Sequence, residues 1–437
     1  MWAMCRRLFF FFVPLLVLLP RSVAAPDCIV VSQQAAPARS EKLTQVAPGV
    51  SYAHLQNASP DGEPWAIHVL RVSRKAPGLR IAAVGGTTSE GYMARALPSE
   101  LGQNAAGGGE NVIASVNGDF DLAAPYLGIP DGLSVTSGRL WTTGKRTWPV
   151  MAVLGSGDPV IGVPEVQIEM RAGARRWAIG ALNKPLGSVH GAHPRAYTRE
   201  YGAELKGRSA FRAVVIGKLT PALPLRANRV VTGVVTEVIT KTSALAIPAD
   251  AIVMAERAGD TSLAASLART LKSGSRVRLH FRVRIAGRRE VREAIGGYPI
   301  LVRNGESAIE GQPSAYLAQR HPRTAVCYNP REIIFVVVDG RQLKLSVGMT
   351  LEELADLMVS LGCTVAMNTD GGGSSVMAVK LPPSGANPSS TSAPTPSASV
   401  NSSGVRPPTS HLRIVNSPSD GRERGRGNAW VILRTTN

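Results

Sequence analysis

The sequence predicts an α+β fold: a β-rich mixed sheet in which a βαβ unit carries the active-site edge. Three observations predict it. Short alternating apolar and polar runs recur between residues 50 and 291. Ile333 to Val338 is a continuous apolar run of mainly β-branched residues, the pattern of a strand buried on both faces. One strongly amphipathic helix, Leu351 to Leu361, then leads into a second apolar run, Cys363 to Asn368.

The chain begins with what reads as a secretory leader, residues 1–24. Arg6 and Arg7 precede an apolar stretch from Leu8 to Leu19, and Ser22-Val23-Ala24 is a small-x-small cleavage site. A stretch of 12 residues falls short of the roughly 20 needed to span a bilayer, so cleavage is expected and an uncleaved anchor is the alternative. The formal charge of +18 falls to +15 once Arg6, Arg7 and Arg21 are removed, which still points to an anionic partner. Export to a secreted or periplasmic location argues against nucleic acid as that partner, and leaves membrane contact only through the leader.

With 44% hydrophobic and 18% charged residues the chain is no disordered polymer. Aromatics make up 5%, so its core is mainly aliphatic. The four cysteines, at 5, 28, 327 and 363, form no CxxC, and there is neither a GxxxxGK[ST] loop nor an HExxH pair. No cofactor and no metal are expected. Cys327 and Cys363 either pair with each other or stay as buried thiols.

Residues 25–49 read as a flexible lead-in and 50–437 as the catalytic region. Strands are expected at Trp65 to Val72, Leu79 to Val84 and Asn111 to Val116. The β-rich part, 50–291, is interrupted by one helix marked by Leu263, Leu267, Leu271 and a terminal Gly274. Arg276, Arg278, Arg282 and Arg284 alternate with apolar residues, as in a strand with one solvated face. The motif-bearing part is 292–437. Within it, Pro, Ser, Thr and Gly fill 21 of the 30 positions of 381–410, which marks that segment as a disordered insertion. The strand-like run Ala429 to Leu433 beyond it shows that the fold resumes.

The chemistry concentrates between Arg323 and Ser375. Thr350 and Glu353 form a capping box, Leu351, Leu354, Ala355, Met358 and Leu361 form one stripe, and Gly362 stops the helix. Strand, helix, strand then implies two parallel neighbours, with Asp339 and Asp370 just past their carboxyl ends on one sheet edge. Gly371, Gly372 and Gly373 suit an anion-binding nest, with Ser374 and Ser375 as hydroxyl donors. Arg323, beside Thr324, is expected to point at the same edge and grip a phosphate.

Seven pieces, taken in order, resemble the phosphodiester glycosidase family, whose lysosomal member uncovers phosphomannose by removing N-acetylglucosamine. They are VNGDF (116–120), AIGGYPILVRNG (294–305), HPRTAVCYN (321–329), VVVDGR (336–341), GMTLEELADLMVSLGC (348–363), NTDGGGSSVM (368–377) and VNSPSDGRER (415–424). The resemblance runs from about Asn111 to the C-terminus. It implies catalytic roles for Asp370, Asp339 and Arg323. It implies substrate contacts from Asn117, Gly118, Thr324, Arg341, Asn368, Gly371, Gly372, Gly373, Ser374, Ser375, Asn416, Glu423 and Arg424. Asp121 stands where the family usually has an aromatic residue, and 381–410 separates motifs that are normally close.

The reaction this implies is hydrolysis of a sugar-1-phosphodiester at the anomeric C–O bond. The partner would be a sugar–phosphate diester or a phosphorylated polysaccharide of an exported glycan. A phosphate monoester leaves readily, so the site needs charge neutralisation and a carboxylate near the anomeric carbon more than a strong acid. Two rivals stand beside it: a non-catalytic envelope module that binds anionic phosphorylated glycans, and a phosphodiesterase that cuts P–O.

Overall fold

The computed structural model describes residues 43–145, 147–186, 193–258, 267–309, 319–382 and 412–436, all within the unit Arg39–Asn437. The leader, most of the lead-in, Leu263 and nearly all of the insertion lie outside the described residues. From the lead-in, Thr44–Ala47 is a strand paired with Val50–Ala58.

Among the described residues the strands form four sheets. The first runs, in spatial order, Thr44–Ala47, Val50–Ala58, Pro64–Ser73, Glu332–Val338, Arg323–Tyr328, Val365–Asn368, Ile300–Arg303 and Glu306–Ser307. Every neighbouring pair in it is antiparallel. Alternation along its central strand assigns two buried faces. Ile333, Phe335 and Val337 enter one core, while Ile334, Val336 and Val338 enter another.

The second of these cores is closed by the helix Leu351–Ser360, through Leu351, Leu354, Ala355 and Met358. Its capping box forms as the residues dictate: Glu353 N donates to Thr350 Oγ1 (3.1 Å) and Thr350 N donates to Glu353 Oε2 (2.9 Å). The other core lies between the first sheet and a five-stranded sheet ordered Arg413–Ile414, Met377–Val379, Glu110–Asn117, Asn428–Thr435 and Leu79–Gly85. Phe335 and Trp430 meet there, ring centroids 6.3 Å apart.

This architecture corrects the fold-class expectation. The molecule is mostly antiparallel β-sheet with three short helices among its described residues, and the α+β reading with a βαβ unit does not hold. The strand Arg323–Tyr328 lies between the two strands that were to be adjacent and parallel. The cause is local. Asn329 Oδ1 accepts from Arg331 N (2.9 Å) and Glu332 N (3.0 Å), closing a tight hairpin that folds Arg323–Tyr328 back against Glu332–Val338. The helix must carry the chain over the slot this fills. The two outer strands still point the same way, but their ends are two strand spacings apart, roughly 10 Å.

The middle of the chain builds an eight-stranded sheet with one parallel pair and a second five-stranded sheet. In Arg276–Ile285, Val277, Leu279, Phe281, Val283 and Ile285 are buried while the arginines face outward, as alternation predicts. Cys327 and Cys363 are joined by a disulfide. It ties a central strand to the end of the helix and closes a loop of sequence separation 36. On the chain-entropy account a loop of that size contributes about 4 kcal/mol.

Candidate active site

The Asp-Gly-Gly-Gly-Ser-Ser segment is where the chain steps from Val365–Asn368 of the first sheet to Met377–Val379 of the sheet packed against it. Such a corner leaves backbone groups unpaired by either ladder, and neighbouring loops satisfy them. Asp370 N donates to Gly118 O (3.1 Å) and Gly372 N to Pro322 O (2.8 Å). Asn117 Nδ2 donates to Asp370 O (2.7 Å), while its Oδ1 accepts from Thr324 Oγ1 (2.9 Å) and Val376 N (3.0 Å). Asn117 and Thr324, both buried, therefore hold the loop and set the position of Asp370. Gly118 has no room for a side chain, because a Cβ there would collide with Asn428 Oδ1.

The loop walls a cleft of about 230 Å³. Its lining is almost wholly polar: four arginines (95, 341, 424 and 426), Asp121, Asp370, the three glycines, Ser374 and one aromatic ring, Phe120. The glycines let the arginines close in. Gly372 has φ +62°, and a Cβ there would sit 3.1 Å from Arg341 Nη2. At Gly373 a Cβ would collide with the Arg424 guanidinium and its partner Asp420, and at Gly371 it would lie 2.8 Å from Pro322 O. Arg341, itself at φ +60°, reaches His321 Nδ1 at 3.3 Å.

At the floor, Arg426 Nη1 lies 3.0 Å from Asp370 Oδ2 and 3.5 Å from Asp121 Oδ2. Asp121 is further held by Arg95 Nε (2.5 Å) and Gly427 N (2.9 Å). The side chains of Asp121 and Arg426 are 1% and 5% exposed, and that of Asp370 12%, so Asp370 is the member of this trio that meets the cleft most. Burial pushes the Asp370 carboxyl up to about 6, against the opposing pull of Arg426 and the Ser374 hydroxyl. The charge of Asp121 adds to the rise.

The residues singled out in the sequence do not all meet here. Asp370, Gly371, Gly372, Gly373, Ser374, Arg341 and Arg424 line the cleft, and Asp339 and Arg323 are not among its lining. Asp339 is buried, with its oxygens taken by His68 Nε2 (3.1 Å), Asn416 Nδ2 (3.0 Å) and Ser417 N (3.0 Å). Tyr52 Oη contacts His68 Nδ1 at 2.9 Å, and burial followed by the charge of Asp339 raises Tyr52 to about 12. Asn416 also donates to Ser375 O (3.1 Å) and accepts from Met377 N (2.9 Å). This network clips the terminal motif to the first sheet.

Two of the Arg323 guanidinium nitrogens donate to backbone carbonyls. Nε donates to Met349 O and Nη2 to Gln319 O, both at 2.8 Å. Asn368 Nδ2 donates to Tyr298 O and Thr369 O, both at 2.7 Å. Ser375 is buried beside the loop. Glu423 accepts from Ser99 N (2.7 Å) and Ser99 Oγ (2.6 Å) at the start of the helix Pro98–Asn104, so it fixes the terminal loop to that helix.

Sequence reasoning missed Arg95, Phe120, Asp121 and Arg426 as cleft residues. Arg426 belongs to Arg422-Glu423-Arg424-Gly425-Arg426-Gly427, where three arginines at alternate positions, the last two separated by glycine, are a usable anion-site signal. Arg95 has no comparable local signal.

Residues 226–433 match the family model described as phosphodiester glycosidase. Asn117 and Gly118 lie outside the matched stretch. No curated protein matches the chain. Among solved structures, a hypothetical protein from Synechocystis aligns at TM-score 0.68 and 16% identity. That alignment covers 91% of this chain and 64% of the cyanobacterial one, so the chain spans less than two thirds of that relative. A protein of Burkholderia pseudomallei K96243, named as a candidate for export, aligns at TM-score 0.60 and 20% identity, covering 85% and 74%. These two likenesses bear on the fold alone. The catalytic domain of zebrafish N-acetylglucosamine-1-phosphodiester alpha-N-acetylglucosaminidase, auto-inhibited by its pro-peptide, aligns at TM-score 0.42 and 12% identity, covering 90% and 84%. Among the described residues no helix is long and apolar enough to cross a membrane.

Proposed function

We propose that this chain, whose residues 226–433 match the phosphodiester glycosidase family model, is an exported hydrolase that cleaves the anomeric C–O bond of a sugar-1-phosphodiester in a glycan or phosphorylated polysaccharide. The observation that carries the reading is the cleft, where four arginines and a glycine-rich turn surround a largely buried carboxyl, Asp370, that reaches its wall. Arg341 and Arg424, both exposed, neutralise the phosphoryl oxygens as charge builds on the leaving group. Asp370, titrating near 6, is ionised at neutral pH and serves as the base.

In the step proposed, Asp370 takes a proton from water, and the water oxygen bonds to the anomeric carbon. The C–O bond to the phosphate breaks, and its electron pair stays on the phosphate oxygen held by the arginines. Asp121 and Arg426 keep Asp370 in place. Asp339, Arg323, Asn117 and Asn416 act through the loops they fix. A module that only binds anions has no use for a carboxyl facing into its cationic cleft, and this favours hydrolysis over binding. The leader-like pattern of residues 1–24 supports export.

The test is turnover of purified mature protein on a panel of sugar-1-phosphodiesters, with Asp370→Asn as control. Release of free sugar by the wild type and its loss in the variant is expected. Tight binding across the panel with no release would leave the binding module in its place.

A further inference from the structure

We infer that the row of aromatic rings Phe120, Trp148 and Tyr298 is the subsite for the glycosyl ring, taking a hexopyranosyl group whose phosphate lies in the arginine cleft. The inference rests on the reading of that cleft as a phosphate site. At about 230 Å³ the cleft is below the roughly 300 Å³ at which pockets for whole small molecules begin. It has room for a phosphoryl group, and the sugar must extend beyond it. Phe120 is the one apolar side chain in its wall, and it marks the direction.

From Phe120 the row continues to Trp148, centroids 5.5 Å apart at 66°, and from Trp148 to Tyr298, 5.5 Å apart at 17°. All three are half-buried, and none belongs to the hydrophobic cores of the described residues. In a chain with 5% aromatics, three rings outside every core need a reason to be together. A pyranose supplies one: its C–H groups carry partial positive charge and pack against electron-rich aromatic surface. A polar pair adjoins the row. Lys145 Nζ lies over the Trp148 ring, 3.9 Å from its centroid, and 2.6 Å from Asp131 Oδ2, so sugar C–H groups meet Phe120, Tyr298 and the open edge of Trp148, and its hydroxyls meet the Lys145–Asp131 pair.

The row is fixed relative to the carboxyl that would serve as the base. Asn368 Nδ2 bridges Tyr298 O and Thr369 O, both at 2.7 Å, and Thr369 immediately precedes Asp370. Gly297 N donates to Pro149 O (3.1 Å), joining the Tyr298 and Trp148 segments. Asp119, buried beneath, accepts from Phe120 N (2.8 Å) and Gly132 N (2.7 Å). A subsite so tied needs little ordering when sugar arrives.

The experiment is calorimetric titration of the full mature protein with inorganic phosphate and with the 1-phosphates of glucose, galactose, mannose and N-acetylglucosamine. The wild type should bind at least one sugar phosphate about tenfold or more tightly than phosphate. In Trp148→Ala that margin should collapse, while the phosphate affinity changes by less than about threefold; Trp148→Phe should regain part of it. Tyr298→Leu is the second variant, should Trp148→Ala fail to fold. Phosphate bound as tightly as all four sugar phosphates, or a margin that survives in the folded variants, overturns the subsite and leaves the phosphate cleft standing. A wild type that binds neither phosphate nor sugar phosphate overturns the cleft reading and the subsite with it.

Discussion

Arg426 Nη1 lies 3.0 Å from Asp370 Oδ2 while also facing Asp121 Oδ2 at 3.5 Å, so one buried guanidinium is shared between two acids from distant parts of the chain. The sharing explains why Asp370 is not simply pulled down by its cation. Burial and the second carboxylate together outweigh Arg426, and the carboxyl titrates near 6.

The pH dependence follows with a definite sign. A base must be ionised, so kcat/KM should climb as pH rises through about 6, and Asp370→Asn should abolish both the climb and at least about 10²-fold of kcat. Stability moves the other way. The folded carboxyl titrates near 6 against 3.8 ordinarily, so ionising it costs folding free energy as pH rises across that window, up to about 3 kcal/mol. Asp370→Asn removes the cost. Its denaturation midpoint should exceed that of the wild type at pH 8 and match it near pH 3.

Arg426 and Arg341 should separate structure from binding. Arg426→Ala leaves two buried carboxylates without their shared cation and should cost about 3–5 kcal/mol in denaturant titrations. Arg341 is exposed, so Arg341→Ala should leave stability within about 0.5 kcal/mol and weaken diester binding. Equal stability losses in the two variants would show that the cleft arginines are structural alike.

The glycines give a second separation. At Gly371 a Cβ meets backbone oxygen, which cannot yield, so Gly371→Ala should be destabilised. At Gly373 it meets the ends of Arg424 and Asp420, which can swing away. Gly373→Ala should therefore keep its melting temperature and lose affinity for phosphate.

Asp339→Asn is expected to act on stability. It weakens hydrogen bonds from His68, Asn416 and Ser417 to a buried carboxylate, each of the charge-assisted kind worth about 1.5–3 kcal/mol. Thermal melts should drop while kcat of the folded fraction stays within about threefold. A 10²-fold fall in kcat with an unchanged melt would return Asp339 to the chemistry.

What the sequence made legible was local. Thr350 and Glu353 announce the helix start, the unbroken Ile333 to Val338 run announces burial on both faces, and both are found as expected. Strand order was not legible. Nothing in the Arg323–Tyr328 run says that it sits between two strands that a helix connects; that depends on a three-residue hairpin turn. Asp339 reads as a site residue because it lies just past a strand's carboxyl end, on the edge expected to hold Asp370, and within the VVVDGR motif. Its engagement depends on His68, 271 positions away, and on Asn416, 77 positions away. Arg95 and Asp121, 26 positions apart, likewise meet only through the fold.

Oxygen-18 water addresses the proposed bond cleavage most directly. Turnover of a sugar-1-phosphodiester in labelled water should place the label at the anomeric hydroxyl of the released sugar and leave the phosphate monoester unlabelled. Label in the phosphate would mean that the P–O bond is the one cut, and would contradict a carboxylate acting at the anomeric carbon.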